Sequence, residues 1–244
     1  MTDLPDSCRY ALFDRHGGTS TGPFASLNSS YHVGDAESAV AENRKIIKGV
    51  LDLDILVSAR QVHGDRIFCL EKKPMSDYEV DGYDALLTDL QDVGIMIQHA
   101  DCQAVLLFDP IRRVIGAVHC GWRGSVLNIL GRTVQTMSDV YRSKPEDILA
   151  VIGPSLGPCC SEFINHEQEL PSAFRPYIVR EHHFDFWQIS RDQLTASGID
   201  PSSVAISEVC TSCSPDYFSY RRSRRSGDDH TGRNCSVAAL ENGK

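Results

Sequence analysis

Between Ala85 and His119 the chain lays down apolar runs at Ala85–Thr88, Gly94–Gln98, Ala104–Phe108 and Val114–His119. Each is too short for a helix, and turn-forming residues separate them. Ala104-Val-Leu-Leu-Phe108 contains no polar residue, the mark of a strand covered on both faces, and Asp109-Pro110 ends it. A chain with such a centre has to build a sheet with further layers outside it. More strands are expected at Tyr10–Phe13, Ile55–Val62, Arg66–Glu71, Ile148–Ile152, Val204–Val209 and Ser236–Leu240. Helices are expected at Glu37–Leu51 and Phe186–Ala196. A third is expected within Trp122–Tyr141, where Val126, Ile129, Leu130, Val134, Met137, Val140 and Tyr141 recur at helical spacing. This mixture predicts an α/β fold with mixed strand directions, and with no repeat or linker in view residues 1–244 are expected to form a single domain.

Composition narrows the function classes. A net charge of -9 argues against sequence-independent nucleic-acid binding, which Lys and Arg drive by releasing counterions. The local exception is Arg221-Arg222-Ser-Arg224-Arg225, read as a solvated loop with phosphate binding as the alternative. No apolar run reaches the roughly 20 residues of a membrane span. The start, Met1-Thr-Asp-Leu-Pro-Asp-Ser-Cys8, lacks the basic and apolar parts of a secretion signal, so a cytoplasmic protein is expected. Nine cysteines, an odd number without such a signal, point to metal ligation, a nucleophile or buried small side chains rather than a disulfide scaffold.

Three segments place soft or imidazole ligands at the ends of expected strands, two of them beside glycines: Gln61-Val-His63-Gly64, Ala100-Asp101-Cys102 and His119-Cys-Gly-Trp-Arg-Gly124. Strand ends can converge over one edge of a sheet, and two imidazoles with one thiolate form a three-ligand zinc set that leaves a position open. Such a zinc lowers the pKa of bound water to about 7 or polarises a substrate atom. Asp101 and His99 stand close enough in sequence to support these ligands. Taken singly, His63 reads as a core histidine and Cys102 as a buried small residue; the triplet carries the inference. The glycine-rich turn after His119 enters a helix, where backbone N–H groups and Arg123 could meet an anion. Pro158-Cys159-Cys160 and Cys210-Thr-Ser-Cys213 remain. A single CxxC does not by itself complete a four-ligand zinc site, so these cysteines are read as structural or pocket residues, with a redox pair as the alternative.

The ordered motifs resemble the YfiH-type family, known under the descriptions laccase-domain protein, polyphenol oxidase, peptidoglycan-editing factor and purine nucleoside phosphorylase. The resemblance covers nearly the whole chain. It rests on Arg15-His-Gly-Gly-Thr-Ser-Thr-Gly-Pro-Phe24, Ser26-Leu-Asn28, His32-Val-Gly-Asp35, Glu42-Asn-Arg44, Gln61-Val-His-Gly64, Asp84-Ala-Leu-Leu-Thr88, Ala100-Asp-Cys102 and His119-Cys-Gly-Trp-Arg-Gly124. It continues through Ile152-Gly-Pro-Ser-Leu-Gly-Pro-Cys-Cys160, Cys210-Thr-Ser-Cys213, Phe218-Ser-Tyr-Arg-Arg222 and Gly232-Arg233. The resemblance implies a layered α/β/β/α sandwich with zinc on His63, Cys102 and His119. It also implies phosphorolysis of adenosine, inosine and methylthioadenosine, hydrolytic deamination of adenosine, and, in a second description, copper-dependent oxidation of phenols. Cys120 stands where the family usually has Ala, which adds a thiol beside the site and bears on zinc against copper.

A zinc-dependent enzyme acting on purine nucleosides and phosphate is therefore the leading expectation. His63, Cys102, His119 and Asp101 are its catalytic candidates, and Arg15, Arg123 and Arg221 its contacts to phosphate or ribose. Other readings stay open: a copper phenol oxidase, a metal-free hydrolase with Cys102 as nucleophile, and a metal-stabilised binding protein.

Overall fold

The computed structural model describes residues 4–5 and 7–241; of the opening segment, residues 1–3 and 6 lie outside that description, as do residues 242–244. In chain order the elements begin with β1 (Cys8–Leu12), α1 (Glu37–Val50), β2 (Ile55–Arg60), β3 (Ile67–Cys69), β4 (Tyr78–Asp81), β5 (Ala85–Thr88) and β6 (Val93–His99). Then come β7 (Gln103–Asp109), β8 (Val114–Cys120), α2 (Trp122–Val126), α3 (Ile129–Tyr141), β9 (Leu149–Ile152) and α4 (His166–Glu169). The chain closes with β10 (Ile178–Arg180), β11 (His183–Phe184), α5 (Phe186–Ala196), β12 (Val204–Ile206), α6 (Tyr220–Arg225) and β13 (Asn234–Leu240).

Two mixed sheets result, one ordered β1-β13-β6-β2-β4 and the other β12-β9-β7-β8-β5-β3. The apolar run of β7 explains how they stack. Ala104, Leu106 and Phe108 enter the layer between the sheets with Val57, Ile95 and Ala238, while Val105 and Leu107 face outward onto Ile129, Val134 and Leu194. A strand packed on both sides has no polar face to show, which is why its sequence is uniformly apolar. Ile47 and Leu51 close the opposite side over Leu56, Met96 and Val237. The order is helix, sheet, sheet, helix, the expected α/β/β/α arrangement. Among the described residues no helix is long and apolar enough to cross a membrane.

Several boundaries differ from expectation, each for a local reason. The helix expected across Trp122–Tyr141 is two helices, because Asn128 takes a left-handed backbone (φ 55°) and its side chain caps α3 by accepting from the Gly131 amide. Val126 and Val140, placed on its packed face, are exposed. β2 stops at Arg60 rather than Val62 because the Gln61 side chain takes over the pairing: its Nε2 donates to Gln98 O (2.7 Å) and its Oε1 accepts from Gln98 N (2.9 Å). β12 stops at Ile206, after which the chain leaves for the loop whose Thr211 holds Asp101. The Arg221–Arg225 cluster is not a solvated loop: it lies in α6, and Arg222 Nη1 donates to Thr211 O and Ser214 O, each at 2.7 Å.

The inner face of α1 carries two polar residues, Asn43 and Arg44, between the apolar Val40 and Ile47, and this explains the Asn43-Arg44 motif. Asn43 is fully buried; it donates to Ser20 Oγ and to the carbonyls of Ser26 and Asn28, and accepts from Thr19 N, so it pins the long N-terminal loop. Arg44 donates to Ser29 O and Ser58 Oγ and pairs with Glu79 at 2.9 Å. Burial alone would raise the Glu79 carboxyl, but hydrogen bonds from His32, Arg44 and Ser58 and the Arg44 charge outweigh it and hold it at about 2.

A folded-state pKa below the unfolded one means that this pair stabilises the protein fully above about pH 4.5, with the contribution lost as pH falls toward about 2. Glu79→Gln is expected to lower stability at pH 7 by roughly 2 kcal/mol, discounted for the water that reaches Glu79, and to flatten the acid limb of the unfolding profile. Urea midpoints measured from pH 7 to pH 3 check this; curves that stay parallel across that range would contradict it.

Candidate active site

β7 and β8 pair antiparallel with Gln103 opposite Cys120 and Ala104 opposite His119, so Cys102, one residue before β7, arrives beside the end of β8. The loop after β2 brings His63 to the same edge. One ligand atom from each of His63, Cys102 and His119 lies within 4.8 Å of the others, and the two imidazole rings meet edge to face, centroids 4.8 Å apart. His63 and Asp101 both adopt left-handed backbone, at φ 60° and 85°. Gly121 runs past the cluster so closely that a Cβ there would lie 3.0 Å from Cys102 Sγ and 3.1 Å from His63 Cδ2.

Asp84 organises the cluster. Its carboxylate is fully buried and accepts from the backbone amides of Val62, His63 and Gly64 at 3.2, 2.9 and 2.8 Å, which sets the loop that carries His63. The same carboxylate receives His119 Nδ1 at 2.8 Å, which keeps a proton on Nδ1 and turns Nε2 toward the cluster. Burial would raise the Asp84 carboxyl, but His119 and the amides of Gly64 and Val62 keep it below its ordinary range. Burial also works against charge on the other members. The His119 charge and hydrogen bonds from both histidines nevertheless bring the Cys102 thiol down to about 6, and the Cys102 thiolate with Asp84 carries His119 up to about 9.

The cluster opens into a cavity of about 730 Å³, within the size range of small-molecule sites. Trp122, Phe163 and Phe186 form an aromatic wall, with centroid separations of 6.2 Å for Trp122–Phe163 and 5.2 Å for Phe163–Phe186. Arg123, Arg221 and Arg233 also line the cavity. His99 is buried there; burial first, then the charges of His119 and Arg233, lower it to about 3, so it is neutral. Its Nε2 meets Ser236 Oγ at 3.2 Å, and Nδ1 has no protein partner among the described residues.

The structure thus gathers His63, Cys102, His119, Asp101, Arg123 and Arg221 around one cavity. Arg15 is not brought there: it donates from Nε to Ala25 O (2.7 Å), and its guanidinium stacks 4.5 Å above the Phe218 ring. Asp101 lines the cavity with its carboxylate engaged by Thr211 Oγ1 (2.7 Å) and the Arg221 amide (2.5 Å), joining two distant loops. The helix after Gly121 has only five residues, so its dipole is weak and attraction for an anion falls to the arginine side chains. Sequence reasoning missed Asp84, Arg233 and the aromatic wall. Asp84 and Arg233 lay inside recognised motifs without an assigned role, while Phe163 and Phe186 carry no local signal.

Residues 9–241 match the family described as multi-copper polyphenol oxidoreductase laccase. A purine nucleoside phosphorylase YlmD from Geobacillus stearothermophilus is 34% identical over 231 residues, spanning 87% of this chain and 84% of its own. A purine nucleoside phosphorylase from Haemophilus influenzae is 31% identical over 251 residues, spanning 98% and 97%. Among solved structures, Bacillus licheniformis YfiH matches with a TM-score of 0.87 at 31% identity, covering 96% of this chain and 93% of that one.

Proposed function

The chain belongs to the YfiH-type family of multi-copper polyphenol oxidoreductase laccase proteins, and we propose that it is a zinc-dependent enzyme that cleaves purine nucleosides with phosphate. The observation that carries this is the convergence, in one cavity, of a soft three-ligand set, an aromatic wall and four arginines, Arg60, Arg123, Arg221 and Arg233. The donor set fits zinc: two imidazoles and one thiol held down at about 6, with a buried carboxylate fixing one ring. When bound to His63, Cys102 and His119, zinc supplies a Lewis acid with an open position.

The protein groups divide the remaining work. Phe163 and Phe186 offer ring faces against which a purine can stack, with Trp122 closing that side. His99, neutral, lines the cavity with its Nε2 on Ser236 Oγ and its Nδ1 buried, and so belongs to the wall rather than to the polar contacts of a nucleoside. Arg123, Arg221 and Arg233 supply the positive field for phosphate, Arg233 taking the place expected of Arg15. Asp101 positions Arg221 by holding the first turn of α6. An oxygen of hydrogen phosphate then attacks the anomeric carbon of the ribose as the carbon–nitrogen bond breaks; the electron pair of that bond passes to the purine nitrogen and the proton of hydrogen phosphate ends on the base, giving free purine and ribose 1-phosphate. Adenosine, inosine and methylthioadenosine share that bond. Deamination of adenosine, in which water forms a bond to C6 and the amino group leaves as ammonia to give inosine, is a second outcome that the same site can support.

The test is product analysis of zinc-quantified protein incubated with adenosine, with and without phosphate. Adenine and ribose 1-phosphate that appear only with phosphate are expected; inosine would mark deamination. No consumption of nucleoside in either condition would remove both. The family's description also favours copper-dependent phenol oxidation, for which oxygen uptake rising in proportion to copper loading is the corresponding result.

A further inference from the structure

The cysteines outside the active site come together although they lie in loops far apart in sequence. Cys159 and Cys160 follow β9, and Cys210 and Cys213 follow β12. Their four sulfurs all lie within 4.8 Å of one another, with Cys159 Sγ 3.6 Å and Cys160 Sγ 3.5 Å from Cys213 Sγ. All four are free thiols, two buried and two exposed. We propose that they form a second metal site, a tetrathiolate that binds one zinc ion and staples the two loops together.

Three observations carry the assignment. The first is spacing. Tetrahedral zinc with bonds of about 2.3 Å sets neighbouring sulfurs about 3.8 Å apart, close to the separations seen, whereas a disulfide brings one pair to about 2.05 Å and leaves two thiols over.

The second is rigidity. Each pair sits on a tight turn: Cys160 N and Ser161 N both donate to Gly157 O, and Cys213 N and Ser214 N both donate to Cys210 O. The turns are locked to each other just upstream, where Ser155 N donates to Val209 O and Thr211 N to Ser155 O. The sulfurs are therefore brought together by the backbone, as a preformed ligand set requires.

The third is charge. Zinc on four thiolates carries a net charge of about -2, and cations surround this cluster. Arg225 Nη1 lies 3.9 Å from Cys160 Sγ, Arg180 Nη2 donates to Cys159 O at 2.6 Å, and Arg222 clamps both sides of the CxxC turn. Two of the four arginines of α6, Arg222 and Arg225, thus face the cysteine loops, while Arg221 lines the cavity and Arg224 pairs with Asp229.

The consequence reaches the cavity. Leu156 and Ser161, from the first loop, line it, and Thr211, between the two CxxC ligands, holds Asp101. A zinc staple here would keep these supports in place without touching substrate.

The test compares wild-type protein with Cys159→Ser/Cys213→Ser, whose changes fall on the two exposed thiols, after purification under reducing conditions. Zinc per chain should fall by one equivalent in the variant, whatever occupies His63, Cys102 and His119. Cobalt-loaded wild type should show near-ultraviolet thiolate charge transfer of a four-thiolate site, and the variant only that of the one-thiolate site. Equal zinc content in the two proteins would overturn the proposal. So would cobalt spectra of wild type with the intensity of a single thiolate, a readout that does not depend on the variant folding. A disulfide between Cys213 and Cys159 or Cys160, found by mass analysis of thiol-blocked wild type, would replace the metal site with a redox pair.

Discussion

Cys102→Ala is expected to leave the protein folded and to lower kcat/KM for adenosine phosphorolysis by at least about 10³-fold, with loss of metal from the His63, Cys102 and His119 set. The magnitude follows from the several kcal/mol of transition-state stabilisation that a bound metal supplies, at about 1.4 kcal/mol per factor of ten. Cys102 is half-buried beside Gly121, and Ala is smaller, so no steric clash accompanies the change. The same experiment separates two chemistries. In the metal-bound protein Cys102 is a ligand, and chelation of wild type should match the substitution. If chelated wild type keeps its turnover while Cys102→Ala and Cys102→Ser lose it, the thiolate is a nucleophile. Its position beside His119, with the thiol near 6 and the imidazole near 9, is also what that role requires. Retention of full activity by Cys102→Ala would remove both.

Asp84→Ala should be the most damaging change at a residue that never faces substrate. It leaves the amides of Val62, His63 and Gly64 without their acceptor and frees His119 to rotate. Unsatisfied buried donors cost about 1–3 kcal/mol each, partly relieved by water in a loop near the surface, so a loss of roughly 3–5 kcal/mol is expected. For a chain of this size that lowers Tm by about 10 °C. Metal affinity at His63, Cys102 and His119 should fall by about 10–100-fold, the usual effect of removing the carboxylate behind a ligating histidine. Asp84→Asn keeps one acceptor oxygen, so it should recover part of the stability and little of the affinity, because its amide group presents donors where donors already converge. Thermal unfolding and a competitive zinc titration measure the two effects; a Tm within about 2 °C of wild type would contradict the role assigned to Asp84.

What could be read in the chain follows what each residue's partners are. The β7 and β8 runs and α5 were legible because burial between layers leaves a periodic or uniformly apolar trace. β4 was not, since Tyr78–Asp81 is an edge strand with mostly exposed or half-exposed side chains and no apolar run. The break between α2 and α3 depends on one left-handed residue, Asn128, whose neighbours keep helical spacing on both sides.

The site divides in the same way. His63, Cys102 and His119 could be named because imidazole and thiol ligands beside turns at strand ends already suggest chemistry. The motif Asp84-Ala-Leu-Leu-Thr88 was visible, but nothing in it shows that its carboxylate accepts from backbone amides some twenty positions earlier.

By itself, then, the sequence determined the α/β class with a doubly covered central strand and singled out His63, Cys102 and His119, and its ordered motifs pointed to the family and through it to the layer order. It could do so because burial and ligand chemistry are properties of single residues and their spacing. Only the tertiary structure decided that Asp84 orients His119, that Arg233 rather than Arg15 faces the cavity, that Phe163 and Phe186 make its wall, and that Cys159 and Cys160 meet Cys210 and Cys213. Each of these depends on which loops the two sheets bring to the same edge, and that is set by strand pairing between segments far apart in the chain.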